Sequence, residues 1–284
     1  MRVIDDSRSL RETLNPLRHR GQRIALVPTM GNLHEGHLAL VAEAHKHASF
    51  VVCSIFVNPM QFGPSEDLDA YPRTLEQDIA RLEAAGCHAL FTPGVAEMYP
   101  LGHQQHTVVS VPALSEGYCG ASRPGHFDGV ATVVCKLFNL VQPDTAVFGL
   151  KDYQQFLVIQ RMTADLCLPI ALVGVPTRRE ASGLAMSSRN GYLTAEEKER
   201  ATALIHNLRT AADSLQAGAT PAEVEARATQ QLEEAGLRPD YFKVCHAQTL
   251  APATAQDENL VILAAAWMGR TRLIDNLVLQ RTRS

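Results

Sequence analysis

Through its first 175 residues the chain alternates two textures. Short unbroken apolar runs recur at Arg23–Val27, Phe50–Val57, Ala89–Phe91, Thr145–Phe148 and Ile170–Val175, and each reads as a buried strand. Between them, apolar positions return every three or four residues. Leu38, Leu40, Val41 and Ala44 open one helix. Leu75, Ile79 and Leu82 mark a second over Thr74–Ala85, with Gly86 as its stop. Phe127–Val141 reads as a largely buried helix ending before Pro143, and Tyr153–Leu166 as another. Strands alternating with helices predict right-handed crossovers and an α/β fold, a Rossmann-like parallel sheet with helices on both faces.

Beyond residue 176 the pattern changes. Thr194-Ala195-Glu196-Glu197 and Thr220-Pro221-Ala222-Glu223 each match a capping box, the second with proline at the first helical position. They predict helices over about 195–217 and 221–235, followed by strands at Tyr241–Cys245, Leu260–Ala264 and near Arg272–Leu279. The expectation is two domains: residues 1–176, and a smaller C-terminal α+β domain, 177–284, covering the site.

Composition narrows the class. With 284 residues and 46% hydrophobic content, the chain can bury a substantial core, and a net charge of −4 gives no reason to expect nucleic acid. The six cysteines form no Cys-x-x-Cys pair, and Cys53, Cys135 and Cys167 lie in apolar segments, which fits a reducing cytoplasm. Met1–Arg20 is charged throughout and lacks a signal-peptide core. No run of about 20 apolar residues is available to cross a membrane. The expectation is a soluble cytoplasmic protein.

The richest chemistry lies at Pro28-Thr29-Met30-Gly31-Asn32-Leu33-His34-Glu35-Gly36-His37, where a predicted strand turns through glycine into a helix. A helix N-terminus offers unpaired N–H groups and a partial positive charge, so it attracts phosphate. Gly36 permits close approach of a ligand, and His34 and His37 can both donate from the first turn. Zinc is the alternative, because His-x-x-His also pairs two ligands. The pattern His-Glu-x-x-His is absent, however, and no third ligand has diagnostic spacing.

Further segments follow predicted strands, open predicted helices or mark the domain junction. Asn58-Pro59-Met60-Gln61-Phe62 sets neutral polar groups between apolar walls, which suits a small polar substrate or an ordinary turn. Arg123-Pro124-Gly125-His126 precedes a buried helix, where an arginine either answers an anion or is solvated. Gly149-Leu150-Lys151-Asp152 repeats the strand–glycine–helix logic, with Lys151 and Asp152 as phosphate and ribose groups or as a structural ion pair. Met186-Ser187-Ser188-Arg189-Asn190, at the domain junction, carries groups that clamp phosphate and could close on bound nucleotide.

Together these motifs resemble one family. His34-x-Gly36-His37 and Met186–Asn190 are similar to the two signatures of class I adenylate-forming and nucleotidyltransferase enzymes. More narrowly, Pro28–His37, Ser54–Phe62, Tyr71-Pro72-Arg73-Thr74, Arg123–Phe127, Gly183–Leu193 and Arg272-Leu273-Ile274-Asp275-Asn276 resemble, in order, the pantothenate synthetase family. The resemblance implies ATP-dependent condensation of pantoate with β-alanine through a pantoyl adenylate, with Mg²⁺, in a homodimer. It implies ATP contacts from Met30, Gly31, Asn32, Leu33, His34, Glu35, Gly36 and His37, from Gly149, Leu150, Lys151 and Asp152, and from Met186, Ser187, Ser188 and Arg189. Arg178 falls where the family touches adenine through the backbone. His34, His37, Lys151 and Arg189 would be catalytic, Gln61, Gln155 and Asn58 would bind substrate, and Asp78 would contribute to the Mg²⁺ site. The chain departs from the family at Cys119 and Leu150, where an acidic residue is common; Glu116 lies near the first. Two alternatives stand beside this reading: an adenylyltransferase acting on a phosphorylated acceptor, and a non-catalytic nucleotide-binding protein.

Overall fold

The structure, a computed structural model, describes residues 1–64, 66–102 and 105–281. The elements in chain order are β1 (Arg2–Ile4), α1 (Ser7–His19), β2 (Ile24–Thr29), α2 (Glu35–His47), β3 (Phe50–Ile55), α3 (Leu75–Ala84), β4 (Ala89–Phe91), α4 (Val95–Met98), α5 (Cys119–Ser122), α6 (His126–Val141), β5 (Thr145–Gly149), α7 (Tyr153–Asp165) and β6 (Ala171–Val175). They continue with α8 (Ala195–Ala201), α9 (Ala203–Gln216), α10 (Pro221–Glu234), β7 (Arg238–His246), β8 (Asn259–Met268) and β9 (Thr271–Gln280). Short 3₁₀ turns cover Pro59–Gln61, Leu150–Asp152 and Ser188–Tyr192. Two compact units result: Met1–Leu150 with Gln155–Pro176, and Lys151–Gln154 with Thr177–Ser284. Residues 282–284 of the expected C-terminal domain lie outside the described residues.

In the first unit, six described strands run parallel in the order β1-β4-β3-β2-β5-β6. Ile24, Ala25, Leu26 and Val27 are all buried, so central β2 is apolar on both faces and reads as a continuous run. From β2 the chain moves outward to β3 and β4, then returns to lay β5 and β6 on the opposite edge. The reversal falls between β2 and β5, the kind of switch point beyond which open α/β sheets hold ligands.

Pairing there is short. β2 meets β5 only at Ala25↔Thr145 and Leu26↔Ala146, whereas β2 follows β3 from Ile24 to Thr29 and β5 follows β6 from Thr145 to Gly149. The carboxyl ends of β2 and β5 therefore share no ladder, and the sheet parts at its centre where the two loops emerge. Helix α2 covers this region, sending Leu40, Val41 and Ala44 into a core with Val27, Val51, Cys53 and Leu90.

The second unit packs α9 and α10 on the antiparallel sheet β7-β8-β9. Leu204, Leu208, Leu215 and Leu232 meet Phe242, Ile262 and Leu273 in its core. Both capping boxes form, at Thr194–Glu197 and Thr220–Glu223. Among the described residues no helix is long and apolar enough to cross a membrane, and all six cysteines are free thiols.

Several elements differ from the pattern-based expectation. Helix α1 occupies the charged N-terminal segment, where Asp6 accepts from Ser9 N–H at 2.8 Å and Leu10 and Leu14, one turn apart, are fully buried. Strand β3 ends at Ile55, not Val57. The helix expected over 195–217 is interrupted at Thr202, whose hydroxyl donates to the Glu199 carbonyl at 2.6 Å and closes α8 at Ala201.

Helix α6 presses against the Pro59–Gln61 turn at Gly129. A Cβ there would lie 2.5 Å from the Met60 carbonyl oxygen and 2.7 Å from the Gln61 nitrogen, both backbone atoms that cannot swing aside. We expect Gly129→Ala to destabilise the protein by at least about 1–3 kcal/mol, the scale for overpacking a tight contact. Urea denaturation reads this directly; an unchanged midpoint would show that α6 can retreat without cost.

Candidate functional site

The loop after β2 is shaped by four side chains and one glycine. Thr29 donates its hydroxyl to the Ser54 carbonyl at 2.8 Å and accepts from Gly31 N–H at 3.3 Å. The chain then passes through two consecutive left-handed residues, Gly31 at φ +82° and Asn32 at φ 49°. A Cβ on Gly31 would sit 3.1 Å from both Asp78 Oδ2 and Ile55 Cγ2, a tight contact at a φ that favours glycine.

This turn aims two backbone N–H groups at one carboxylate. Asp78, on the first turn of α3 and only 2% exposed, accepts from Asn32 N–H and Leu33 N–H at 2.8 Å each and from the Thr74 hydroxyl at 3.2 Å. Arg81, three residues further along α3, donates to the Leu33 carbonyl. Sequence reasoning offers Asp78 as a contributor to Mg²⁺ binding. In the structure both of its oxygens hold the loop. Among the described residues no three His, Cys, Asp or Glu side chains gather to form an ion cage. Mg²⁺ usually relies on substrate phosphates and water for most of its ligands, so a nucleotide could bring it without such a cage.

Helix α2 begins with histidine in both capping roles. His34 is the N-cap, and its Nδ1 accepts from Gly36 N–H at 3.1 Å. His37, three residues on, returns the bond: its Nδ1 accepts from His34 N–H at 3.2 Å. A backbone N–H can only donate, so both Nδ1 atoms must accept. That assigns both neutral rings the Nε2–H tautomer, with Nε2–H as each ring's donor. The rings lie 4.1 Å apart between centroids, tilted by 38°. Two imidazole donors thus stand at a helix N-terminus beyond the parted strands, where anionic groups are favoured. Glu35 follows in the first turn and is exposed.

The segment after β3 is held from behind. Asn58 is 1% exposed and has its whole amide in use. Its Nδ2 donates to the Gly129 carbonyl at 3.0 Å and to Gln61 Oε1 at 3.1 Å, while its Oδ1 accepts from the Tyr99 hydroxyl at 2.8 Å and Met60 N–H at 3.3 Å. Burial pushes the Tyr99 phenol well above its ordinary range and keeps the donor protonated. Asn58, expected to contact substrate, has its amide bonded to the chain here and orients Gln61. Gln61 Nε2 in turn points to the Met30 sulfur at 3.2 Å, which brings a pantoate candidate against an ATP candidate.

Arg123 does answer an anion, and that anion belongs to the chain. Its guanidinium grips Glu66 through Nε at 2.9 Å and Nη2 at 2.5 Å, and Nη2 also reaches the Gln61 carbonyl at 3.2 Å. His126 Nδ1 donates to that same carbonyl at 2.8 Å and accepts from Arg123 through Nε2 at 2.9 Å. Burial pushes the Glu66 carboxyl up, but the Arg123 hydrogen bonds and charge outweigh it and hold the carboxyl below its usual value. The sequence pattern gave no notice of Tyr99, Gly129, Arg81 or the loop-holding part of Asp78, because each partner is more than 30 residues away.

At the end of β5, Gly149 faces open space, and Leu150 packs so tightly on Gly174 that a Cβ there would overlap it. Gln155 lies half-buried in the first turn of α7 and makes no hydrogen bond to Gln61.

In the second unit, Lys151 is anchored through its carbonyl, which accepts from Asn276 Nδ2 at 2.8 Å, and Asp152 is exposed. Residues 178–186 form a small hairpin in which Met186 N–H donates to the Arg178 carbonyl at 2.9 Å and Arg179 bridges Ala185. Arg179 ties the hairpin to β9 by a two-pronged pair with buried Asp275, at 2.6 and 3.0 Å. The Met186–Arg189 segment follows. Ser187 Oγ accepts from Arg189 N–H at 3.2 Å, and Asn190 fastens the turn to Glu180 and the Ala185 carbonyl.

Comparison with known proteins is consistent in all directions. A family model described as pantoate-beta-alanine ligase matches residues 2–278. The chain is 59% identical to a protein named pantothenate synthetase from Shewanella sp. strain ANA-3, over 98% of each chain. Its fold matches the crystal structure of pantothenate synthetase from Thermus thermophilus with TM-score 0.92 and 46% identity, covering 98% of this chain and 99% of that one. A ligase from Francisella tularensis, described as pantoate-beta-alanine ligase complexed with beta-gamma ATP and beta-alanine, matches with TM-score 0.83 and 32% identity, covering 98% and 97%.

The Glu66–Arg123 pair makes the Gln61 support sensitive to acid. An unfolded glutamate takes up its proton near pH 4.3. Folded Glu66, held lower, contributes stability at neutral pH that is lost as pH falls through its lowered value. Glu66→Gln should therefore lower Tm at neutral pH, and its gap from the parent should close in acid. A gap that persists unchanged below the carboxylate range would trace the loss to packing instead.

Proposed function

The chain belongs to the pantoate-beta-alanine ligase family, and on that premise we propose that it activates pantoate with ATP and passes the pantoyl group to β-alanine. The products are pantothenate, AMP and pyrophosphate. The observation that carries this reading is the reciprocal histidine cap of α2, which sets two Nε2–H donors at a phosphate-attracting helix terminus beyond the β2/β5 switch point.

A carboxylate is a poor electrophile, and adenylation gives its carbonyl carbon a good leaving group. The pantoate carboxylate attacks the α-phosphorus and pyrophosphate departs. Negative charge builds on the phosphate oxygens as it does so, and preorganised donors lower the barrier by meeting that charge. His34 and His37 serve there. By the family resemblance we assign Lys151 and Arg189 as further cationic donors, and Met30–Leu33, Gly149, Leu150, Asp152, the Arg178 backbone, Met186, Ser187 and Ser188 as nucleotide contacts. Gln61, oriented by Asn58, grips pantoate together with Gln155. In the second step the β-alanine amine attacks the pantoyl carbonyl and AMP leaves. No protein nucleophile is needed, because positioning supplies the rate.

Mg²⁺, arriving with ATP, would supply charge neutralisation on the phosphates. A homodimer in the cytoplasm is part of the proposal, supported by the family and, for the compartment, by free thiols at buried Cys53, Cys87, Cys119 and Cys245.

ATP–pyrophosphate exchange tests the whole reading. Exchange should require pantoate and should fall about 10²-fold or more in His37→Ala, the scale for removing one preorganised donor. Exchange that needs a phosphorylated acceptor instead, or none at all, would overturn the assignment.

Arg189 separates the half-reactions. Arg189→Ala should depress adenylate formation while largely sparing β-alanine attack on supplied pantoyl adenylate, since phosphate charge develops mainly in the first step. Single-turnover release of pantothenate measures the second step, and an equal fall in both would assign Arg189 to organising the site as a whole.

A further inference from the structure

The peptide unit joining Leu33 to His34 is gripped at both ends. Its carbonyl oxygen accepts from Arg81 Nη1, and its N–H donates to His37 Nδ1 at 3.2 Å. The preceding N–H groups, of Asn32 and Leu33, are held by Asp78 one turn earlier on the same helix. Asp78 therefore sets where the loop lies, while Arg81 acts on the peptide plane whose N–H meets the His37 ring.

We propose that Arg81 is a positioning residue for adenylation, acting on His37 through the 33–34 peptide. Hydrogen bonds in series polarise one another. A guanidinium on the carbonyl draws electron density from the peptide nitrogen and strengthens its N–H as a donor. That bond holds His37 Nδ1 as an acceptor, so the ring proton resides on Nε2, the atom offered to the developing phosphate charge. Arg81 also fixes the rotation of the peptide plane, and with it the orientation of the imidazole. Arg81 is an exposed residue, so its contribution is not one of core packing.

This inference rests on the role of His37 in the proposed function, and its test reads the ring independently of turnover. In ¹⁵N-labelled protein, His37 of the parent should show an acceptor-type Nδ1 and a protonated Nε2. Arg81→Met should shift the population toward the Nδ1–H form or broaden both signals. In single turnover, Arg81→Met should slow pantoyl adenylate formation by roughly 10- to 100-fold, the scale for losing a hydrogen bond to a charged group. The KM for ATP should move less than the rate. Arg81→Lys, which restores a cationic donor, should recover much of both readouts, and Arg81→Gln provides a second neutral variant should the methionine variant fail to fold. Combined with His37→Ala, Arg81→Met should cost little more, since the arginine acts through that ring.

An unaltered His37 spectrum in Arg81→Met or Arg81→Gln would overturn the proposal, as would full additivity with His37→Ala. If the parent shows no pantoate-dependent exchange but its His37 signals still respond to Arg81, the functional reading fails while the peptide-mediated coupling stands.

Discussion

The loop after β2, with the two histidines that follow it, hangs on one buried carboxylate. Asp78 accepts two adjacent backbone N–H groups, and in doing so it holds Gly31 and Asn32 in left-handed conformations that the chain would otherwise leave. Burying a charge is costly unless hydrogen bonds replace its water, and the turn supplies them. The exchange is mutual: the carboxylate needs the turn, and the turn needs the carboxylate. Because α3 is a regular helix, it delivers Asp78 and Arg81 on one face, three residues apart, to successive atoms of the same loop.

A second support stands behind the polar segment after β3, and it works by saturation. Asn58 spends every hydrogen-bonding capacity of its amide on the chain, so it has one stable orientation and passes that orientation to Gln61. The Gln61 carbonyl is likewise occupied by Arg123 and His126. What remains for chemistry is the Gln61 amide nitrogen, set against the Met30 sulfur. Asn58 thus fixes the side chain of its neighbour Gln61 by spending its own amide on the chain.

Much of the fold was legible because it depends on local periodicity. The buried runs at Ile24–Val27 and Thr145–Phe148 announce central parallel strands, and the Thr194 and Thr220 capping boxes mark helix starts within a residue. Helix α1 was not legible, since Leu10 and Leu14 are too few among charges to advertise a face; it forms because α6 offers them a place to be buried. At the site, His34, Gly36 and His37 were legible as chemistry because strand, glycine and helix follow one another in sequence. Their mutual capping was hidden, because histidine is not among the usual N-cap residues. The supports from Asp78, Arg81, Tyr99 and Gly129 were hidden for a different reason: they are products of topology, brought from distant positions by the sheet order.

The tautomer lock on His34 and His37 also bears on trace-metal chemistry. A transition metal binds imidazole through a lone pair, and in this arrangement each Nδ1 lone pair already faces a backbone N–H while Nε2 carries the proton. To capture zinc or nickel, the pair would have to surrender a ring proton or break the helix cap, and a lost cap alone costs about 0.5–2 kcal/mol. The same pair of bonds that presents hydrogen to an anion therefore discourages two histidines three residues apart from becoming a chelator of adventitious cations.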